Sequence, residues 1–298
     1  MLQNLAYLIA LARERSFRRA AEACNVAQPT LSAGIKHLED DLGTLLVLRS
    51  SRFHGLTPEG EKALEWAKRL VGDARAMRQD LTSLKGGLAG HLRIAVIPTA
   101  LTTVPALTTP VLQRHPALQF TITSCTSDEV LERLDNLEAD AGITYLGLES
   151  IGRLQSVPLY TERYRLVTTA SSPLGHRDAV PWADLAAIPL CLLAPDMQNR
   201  RIMDRIMHSV GAQFRTTLQS NSQVTLIAHV LQGPWSTILP EHLVHTLALP
   251  PHLRAIPLTT PDAAAQVGLV VPDRDPLPTL AAALFAEARR LHPIPDQI

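Results

Sequence analysis

The chain has 298 residues, of which 46% are hydrophobic and 19% charged, and its formal net charge at pH 7 is zero. That length implies about two domains with buried cores. The even charge balance excludes a polycation that grips nucleic acid over its whole surface, so any such contact must come from a local patch.

Leu2 to Ala12 is apolar, but it lacks a basic leader and runs straight into Arg13-Glu14-Arg15. It therefore reads as a helix, with Leu5, Leu8, Ile9 and Ala12 on one face, and not as an export signal. Ser16 is the expected N-cap of a short helix from Phe17 to Cys24. Asn25-Val26-Ala27 makes a turn, and a further helix starts at or beside Gln28, with Pro29 at an early position where a missing N–H costs nothing. Leu31, Ile35, Leu38 and Leu42 form its buried stripe, and Gly43 suits the position after its end.

Thr44 to Leu56 reads as a two-stranded wing with a basic tip around Arg49 and Arg52. Thr57-Pro58-Glu59 is a strong helix start, and the helix is expected to run to Leu84. Within it Ala67, Leu70, Ala74, Met77, Leu81 and Leu84 recur at 3-4-3-4-3 spacing. Such a seam calls for a partner helix, with packing inside its own domain as the alternative.

Lys85-Gly86-Gly87-Leu88-Ala89-Gly90 is the clearest linker. After it the pattern alternates: strand Leu92–Ile97, helix Thr103–Arg114 bent at Pro110, strand Gln119–Cys125, helix Asp128–Leu137 capped by Ser127, strand Ala141–Tyr145. This βαβαβ order implies a largely parallel sheet covered by helices. Strands at Arg165–Thr169, Leu190–Leu193, Thr216–Gln219 and Gln266–Val271 follow, with helices at Met197–Val210, Val224–Leu231 and Leu277–Leu291. More than 200 residues of α/β texture suggest two lobes.

The N-terminal segment 1–57 holds seven basic side chains (Arg13, Arg15, Arg18, Arg19, Lys36, Arg49, Arg52) against five acids (Glu14, Glu22, Glu39, Asp40, Asp41). Their distribution favours a binding face more than the small excess does. The Gln28 amide can pair with adenine or bond other base edges. Thr30 or Ser32 can bond a phosphate, with Lys36 one turn beyond Ser32. Ser16, Arg18 and Arg19 suit phosphate contacts, and Arg49 and Arg52 can follow the backbone or enter the minor groove. A merely solvated helical surface is the competing reading for these residues.

In the two lobes, ligands belong at the carboxyl ends of parallel strands. Thr99, Thr102 and Thr103 follow the first strand, Thr126 the second, and Thr144 closes the third. Gln198, Asn199 and Arg200 open a helix, and Asn221 follows a later strand. Hydroxyls, backbone N–H groups and a helix N-terminus suit a small anion or carboxylate, and a neutral metabolite stays open. Arg200 either adds charge or pairs with a neighbouring acid. Trp235 either lines the cleft or is a core indole.

Cys24, Cys125 and Cys191 match no metal or disulfide spacing, which fits a reducing cytoplasm. His242 and His245 share a helix face but have no third ligand. No nucleophile elbow, phosphate loop or dinucleotide fingerprint occurs, so neither enzyme activity nor a cofactor is expected. No stretch reaches the ~18–20 apolar residues that span a bilayer. The alternative is an α/β enzyme or redox-sensing protein with an accessory DNA-binding domain.

SFRRAAEACNVAQPTLSAGIKHLEDDLG followed by LTPEG resembles the winged helix-turn-helix of LysR-type transcriptional regulators. The resemblance continues through the long helix, the glycine hinge, GHLRIAVIPT, VLQRHP, LEADAGI and STILP. It implies a winged helix-turn-helix with a long linker helix, then a two-lobed α/β effector domain resembling periplasmic binding proteins. The corresponding boundaries are 1–57 for the DNA-binding domain, 58–84 for the dimerising helix and 85–91 for the hinge. Lobe I is then 92–161 with 267–298, and lobe II is 162–266. The resemblance also implies promoter DNA, RNA polymerase and further copies of the chain, as homodimer or homotetramer, as partners, with a small-molecule effector in the cleft.

Two departures stand out. The family often has a basic residue just after the Leu-Ser of the recognition helix, where this chain has Ala33-Gly34. It also often has Gly where Leu137 stands.

Overall fold

A computed structural model describes residues 1–49, 53–83, 87–147 and 154–291. Arg52, Leu84, Lys85 and Gly86 lie outside the described residues, as does the side chain of Arg49. The chain divides into two compact units, residues 1–90 with 135–138, and residues 91–134 with 139–298.

In the first unit the order is α1 (Leu2–Glu14), α2 (Phe17–Ala23), α3 (Gln28–Leu42), β1 (Val47–Arg49), β2 (Phe53–Leu56) and α4 (Pro58–Ser83). Leu8, Leu11, Leu31, Ile35, Leu38 and Leu46 are fully buried and form its core. Each such side chain contributes about 1.5–3 kcal/mol on leaving water. Ser16 caps α2 as expected, its Oγ accepting from the Arg19 N–H at 3.4 Å. Gly43 ends α3 in the left-handed conformation at φ 69°. β1 and β2 pair antiparallel from Val47 opposite Leu56, which makes the wing.

Two polar residues fasten that wing. Glu39 is buried in α3, and its Oε1 accepts from the N–H groups of Leu46 at 3.0 Å and Val47 at 3.2 Å. The Thr57 hydroxyl donates to the Leu45 carbonyl at 2.7 Å and accepts from the Gly60 N–H at 2.9 Å. A Cβ at Gly60 would lie 2.0 Å from the Leu46 carbonyl oxygen, so the LTPEG turn requires glycine there.

Gly34 is buried and faces α1, where a Cβ would meet Tyr7 Cδ2 at 2.6 Å. The helix-weakening glycine is thus a point of close approach between α1 and α3. Ala33, not Gly34, stands exposed where the family's basic residue would reach outward. Leu137, at the family's glycine position, adopts φ 59°. That is a costly left-handed conformation for a residue other than glycine.

The seam on α4 divides. Ala67 is fully buried and joins the core of its own unit together with Val71, which corrects its place in the expected partner seam. Leu70, Met77 and Leu81 are exposed, and Trp66 extends their stripe by one turn. The spacing 66-70-77-81 keeps all four on one side of the helix.

The second unit holds two sheets. The first has the strand order β4-β3-β5-β13-β6, from β3 (Gly90–Val96), β4 (Leu118–Ser124), β5 (Ala141–Tyr145), β6 (Leu154–Glu162) and β13 (Ala265–Pro272). β3 and β5 are parallel, whereas β13 runs antiparallel to both β5 and β6. A 3-10 turn at Pro98–Thr103, α5 (Val104–Arg114), α6 (Ser127–Asp135) and α10 (Thr279–Leu291) accompany it. The helix expected from Thr103 thus starts one residue later, at Val104.

The second sheet has the order β10-β9-β11-β7-β12-β8. It comprises β7 (Tyr164–Thr169), β8 (Val180–Pro181), β9 (Pro189–Leu193), β10 (Arg215–Ser220), β11 (Ser236–Pro240) and β12 (Leu253–Thr259). α7 (Gln198–Ser209), α8 (Gln223–Gln232) and α9 (Glu241–Leu247) cover it. Because Glu162 ends β6 and Ala265 opens β13, both belong to lobe I. The lobe boundaries are therefore corrected to a crossing at Arg163 and a return at Ala265. No described helix is long and apolar enough to cross a membrane.

Candidate DNA interface and effector cleft

α3 buries Leu31, Gly34, Ile35 and Leu38 and leaves Gln28, Pro29, Thr30, Ala33, Lys36 and His37 exposed; Leu42, expected in the buried stripe, is exposed at the helix end and Glu39 is buried instead. Gln28 and Lys36 stand eight residues apart, with Ser32 half-buried between them, so the three lie along one flank of the helix. Arg18 and Arg19 are exposed at the start of α2. Arg18 pairs with Glu22 at 3.4 Å, and Arg19 donates to the Glu14 carbonyl. His37, beside Lys36, is an outward-facing residue that the stripe argument could have found by elimination. An exposed polar helix face over a small core is the geometry of a major-groove reader.

The cleft between the two lobes contains a pocket. Ile97, Pro98, Thr99, Thr126, Ser127 and Tyr145 line it from lobe I, and Leu193, Met197, Gln198 and Asn199 from lobe II. The volume open to a water-sized molecule is about 10 Å³. That is room for one water or little more in this conformation. Of the residues expected there, Thr99, Thr126, Gln198 and Asn199 are in place.

The others are elsewhere. Arg200 is buried but turned away: its Nη1 donates to the Leu193 carbonyl at 3.0 Å and its Nε to Asp204 at 2.9 Å, with the guanidinium over Phe214. It pairs with a neighbouring acid and fastens α7 to β9. Thr144 is buried beside Tyr145, and adjacent strand residues point to opposite faces. The Thr103 hydroxyl donates to the Ala100 carbonyl. Thr102 and Asn221 do not line the pocket. Trp235 packs beside Cys191, Leu193, Met197 and Leu226 as a half-buried core indole.

The helix α6 also exchanges two roles. Thr126 caps it, accepting from the Glu129 N–H at 3.2 Å while Glu129 accepts from the Thr126 N–H at 2.8 Å. This reciprocal box replaces the expected Ser127 cap. Ser127 is buried in the pocket wall instead, and its Oγ has no hydrogen-bond partner. The N-terminus of α7 has no side-chain cap, so the pocket meets free backbone N–H groups there.

Behind the pocket wall lies a polar cluster with no motif to announce it. Glu162 is wholly buried, and its Oε1 accepts from Tyr145 at 2.7 Å and from Asn199 at 3.0 Å. Asn199 also donates to the Tyr145 hydroxyl at 3.0 Å, and Tyr145 contacts the Thr99 hydroxyl at 3.2 Å. Burial pushes the Glu162 carboxyl up to about 7, against the hydrogen bonds of its neighbours that favour its charge. Burial likewise raises the phenols of Tyr145, Tyr160 and Tyr164. His242 reaches across the lobes to the Thr99 carbonyl at 2.8 Å, and burial lowers its pKa. It is thus a lobe contact, and among the described residues no group of three His, Cys, Asp or Glu side chains could hold a metal.

The sequence profile described as "Bacterial regulatory helix-turn-helix protein, lysR family" matches residues 2–61, and "LysR substrate binding domain" matches residues 85–292. The chain belongs to the LysR family. Its first unit is the DNA-binding part of a transcriptional regulator, and its second is the effector-binding domain.

This LysR-type regulator is 32% identical over 282 residues to the DNA-binding transcriptional dual regulator OxyR of Escherichia coli K12, covering 93% of this chain and 90% of that one. It is 30% identical to a probable hydrogen peroxide-inducible genes activator of Mycobacterium avium, covering 90% and 87%. Among solved structures it resembles a full-length cysteine-to-aspartate variant of OxyR from Pseudomonas aeruginosa, with TM-score 0.74, 27% identity and coverage of 97% and 94%. The fold also matches that of CbnR complexed with its target DNA, with TM-score 0.61, 22% identity and coverage of 98% and 99%.

Proposed function

We propose that this LysR-type regulator reads double-stranded promoter DNA with the exposed face of α3. Gln28 addresses base edges there, while Thr30, Ser32 and Lys36 hold phosphates and Pro29 sets the entry of the helix. Ser16, Arg18 and Arg19 add backbone contacts, and Arg49 and Arg52 supply the wing. The observation that carries this reading is that α3 buries Leu31, Gly34, Ile35 and Leu38 on one side while Gln28, Thr30 and Lys36 stand exposed on the other.

The effector is a small oxygen-bearing molecule. Free N–H groups at α7 and the Ser127 hydroxyl favour an acceptor oxygen, as in a small carboxylate or its neutral acid. No Lys or Arg lines the pocket, so recognition runs through hydrogen bonds and helix dipoles. The exposed stripe of α4 pairs the regulator with a second copy, and tetramers and RNA polymerase complete its partnerships. It works in the cytoplasm without enzymatic activity or a cofactor.

The relatives named for hydrogen peroxide raise a redox reading. The thiols of this chain argue against it: Cys191 is fully buried, Cys125 buried and Cys24 half-buried, and burial pushes all three pKa values up. A peroxide-reactive thiol needs the opposite shift and access to solvent.

The test is selection of bound sequences by the purified protein, then footprinting with and without small acids such as acetate, and with peroxide. A preferred sequence whose footprint changes with a small acid and not with peroxide supports the reading. No preference over random DNA at moderate salt overturns it.

A further inference from the structure

Glu162 has no place in the contacts proposed above, yet its burial sets it apart among the described ionisable groups. It is wholly buried, and among the described residues no Lys, Arg or His is bonded to it. Its Oε2 has no partner in good hydrogen-bond geometry, with the Tyr164 hydroxyl the neighbour that favours its charge from that side. A buried carboxylate in that condition is costly unless it takes a proton or regains water.

Its position turns that cost into a switch. Glu162 is the last residue of β6 in lobe I, and Tyr164 begins β7 in lobe II, so the carboxyl sits where the chain crosses between lobes. Its hydrogen-bond donors come from both sides, Tyr145 from lobe I and Asn199 from the first turn of α7 in lobe II. Asn199 and Tyr145 are also part of the pocket wall. Parting the lobes removes the Asn199 bond and lets water reach the carboxyl.

We propose that closure of the two lobes over the effector pocket is coupled to uptake of a proton by Glu162. This rests on reading the cleft as the effector site, and it adds that an effector entering as an anion brings a proton with it. Closed, the carboxyl is held up at about 7, against 4.5 for its ordinary value in water. The closed form therefore holds a proton that the open form releases between those values. The gain from closure is complete below the ordinary carboxyl range, falls by up to tenfold per pH unit between about 5 and 7, and is lost above 7.

The groups that face Glu162 are Tyr145 on β5, Tyr160 on its own strand, Tyr164 on β7 and Asn199 on α7, with Thr99 from the 3-10 turn. The three phenols stay neutral throughout this range. Arg205 of α7 acts on Tyr164. His242 of α9 stacks on Tyr160 at 4.4 Å and has the opposite sign, since its lowered pKa makes closure release a proton as pH falls through 6.5. A comparison with a variant altered only at Glu162 cancels the histidine contribution.

The experiment is hydrogen exchange of the full-length chain from pH 5 to 8, corrected for the intrinsic pH dependence of exchange. The readout is protection of the helix-bonded amides at 201–204. The ratio of wild-type to E162Q protection should fall about a hundredfold or less between pH 5 and 7 and then level off. A ratio that does not change with pH overturns the proposal. If E162Q does not fold, carboxyl-carbon NMR of the wild-type chain decides: a glutamate titrating near 7 supports the proposal, and none titrating above 6 overturns it. Acetate-induced thermal stabilisation at pH 6, retained alongside a flat ratio, would sink the proton coupling alone. Loss of both would sink the effector reading itself.

Discussion

Of the buried glutamates among the described residues, Glu39 in the first unit and Glu162 in the second stand in opposite conditions. Glu39 in α3 gives a carboxylate oxygen to two backbone N–H groups and joins the reading helix to its wing. Glu162 leaves one oxygen without a partner in good hydrogen-bond geometry and shares the other with groups from both lobes. The DNA-binding unit uses its buried acid as a rivet, because a reader must hold one shape against the groove. The effector unit leaves polar atoms unsatisfied at Glu162, Asn199, Ser127 and His242, all around the cleft. Unsatisfied buried groups raise the energy of the closed state and so keep it responsive to a ligand.

The rivet is the place to break this comparison hardest. Glu39→Ala strands the Leu46 and Val47 N–H groups away from water, at about 1–3 kcal/mol for each orphaned donor. An expected loss of about 3 kcal/mol in urea unfolding of the first unit should come with weakened binding to all DNA sequences. Glu39→Gln keeps an acceptor oxygen and should cost about 1 kcal/mol. Equal losses for the two variants would show that the charge, and not the hydrogen bonds, fastens the wing.

The exposed stripe of α4 comes next. Leu70→Glu with Leu81→Glu places charges on an otherwise apolar line and spares Ala67, which serves the unit's own core. Light scattering should then report a monomer. Operator affinity should fall on the order of 100-fold, as two half-sites lose their linkage. An unchanged mass would mean that this stripe faces something other than a second copy.

The DNA reader was largely legible in the sequence, because its signals are local. Helical periodicity exposed the stripe of α3, and Ser16, Gly43 and Thr57-Pro58 act within one turn of where they stand. Most of what escaped depends on residues far apart in the chain. Gly34 reads as a weak point until Tyr7 is seen against it. Ala67 fits a heptad as well as it fits the core. Thr126 and Ser127 are adjacent hydroxyls, and only the reply from Glu129 decides which one caps α6. The sequence leaves the role of Arg200 open and gives no sign of Glu162, for one reason. A charged side chain gets its role from its partners, and theirs come from Leu193, Asp204, Tyr145 and Asn199 on other elements or turns.

A finer test of the reader follows from Gln28. On the proposed reading, Gln28→Ala removes base-edge hydrogen bonds worth about 1–3 kcal/mol of discrimination. Preference among operator variants should drop roughly tenfold while binding to random DNA holds. Lys36→Ala should instead weaken all sequences alike and lower the salt slope by about 1.

The smallest expected effect separates the two departures at positions 33 and 34, where one added charge can be placed in either of two adjacent residues. Ala33 is exposed on the reading face, so Ala33→Arg adds a cation within reach of the phosphates without disturbing the core. Its salt slope should steepen by about 0.9 and its affinity rise a few-fold near physiological salt. Gly34→Arg adds the same charge on the buried side. Its Cβ alone would come within 2.6 Å of the Tyr7 ring and 2.9 Å of Asn4 Oδ1, so α1 must move off α3. Overpacking of that kind costs about 1–3 kcal/mol or more, and affinity should fall with stability. Opposite signs from two variants of identical net charge would show that face, not charge, governs the reader. Matching gains would instead mean that α3 can rotate on its core, and the rigid half of the comparison would fail.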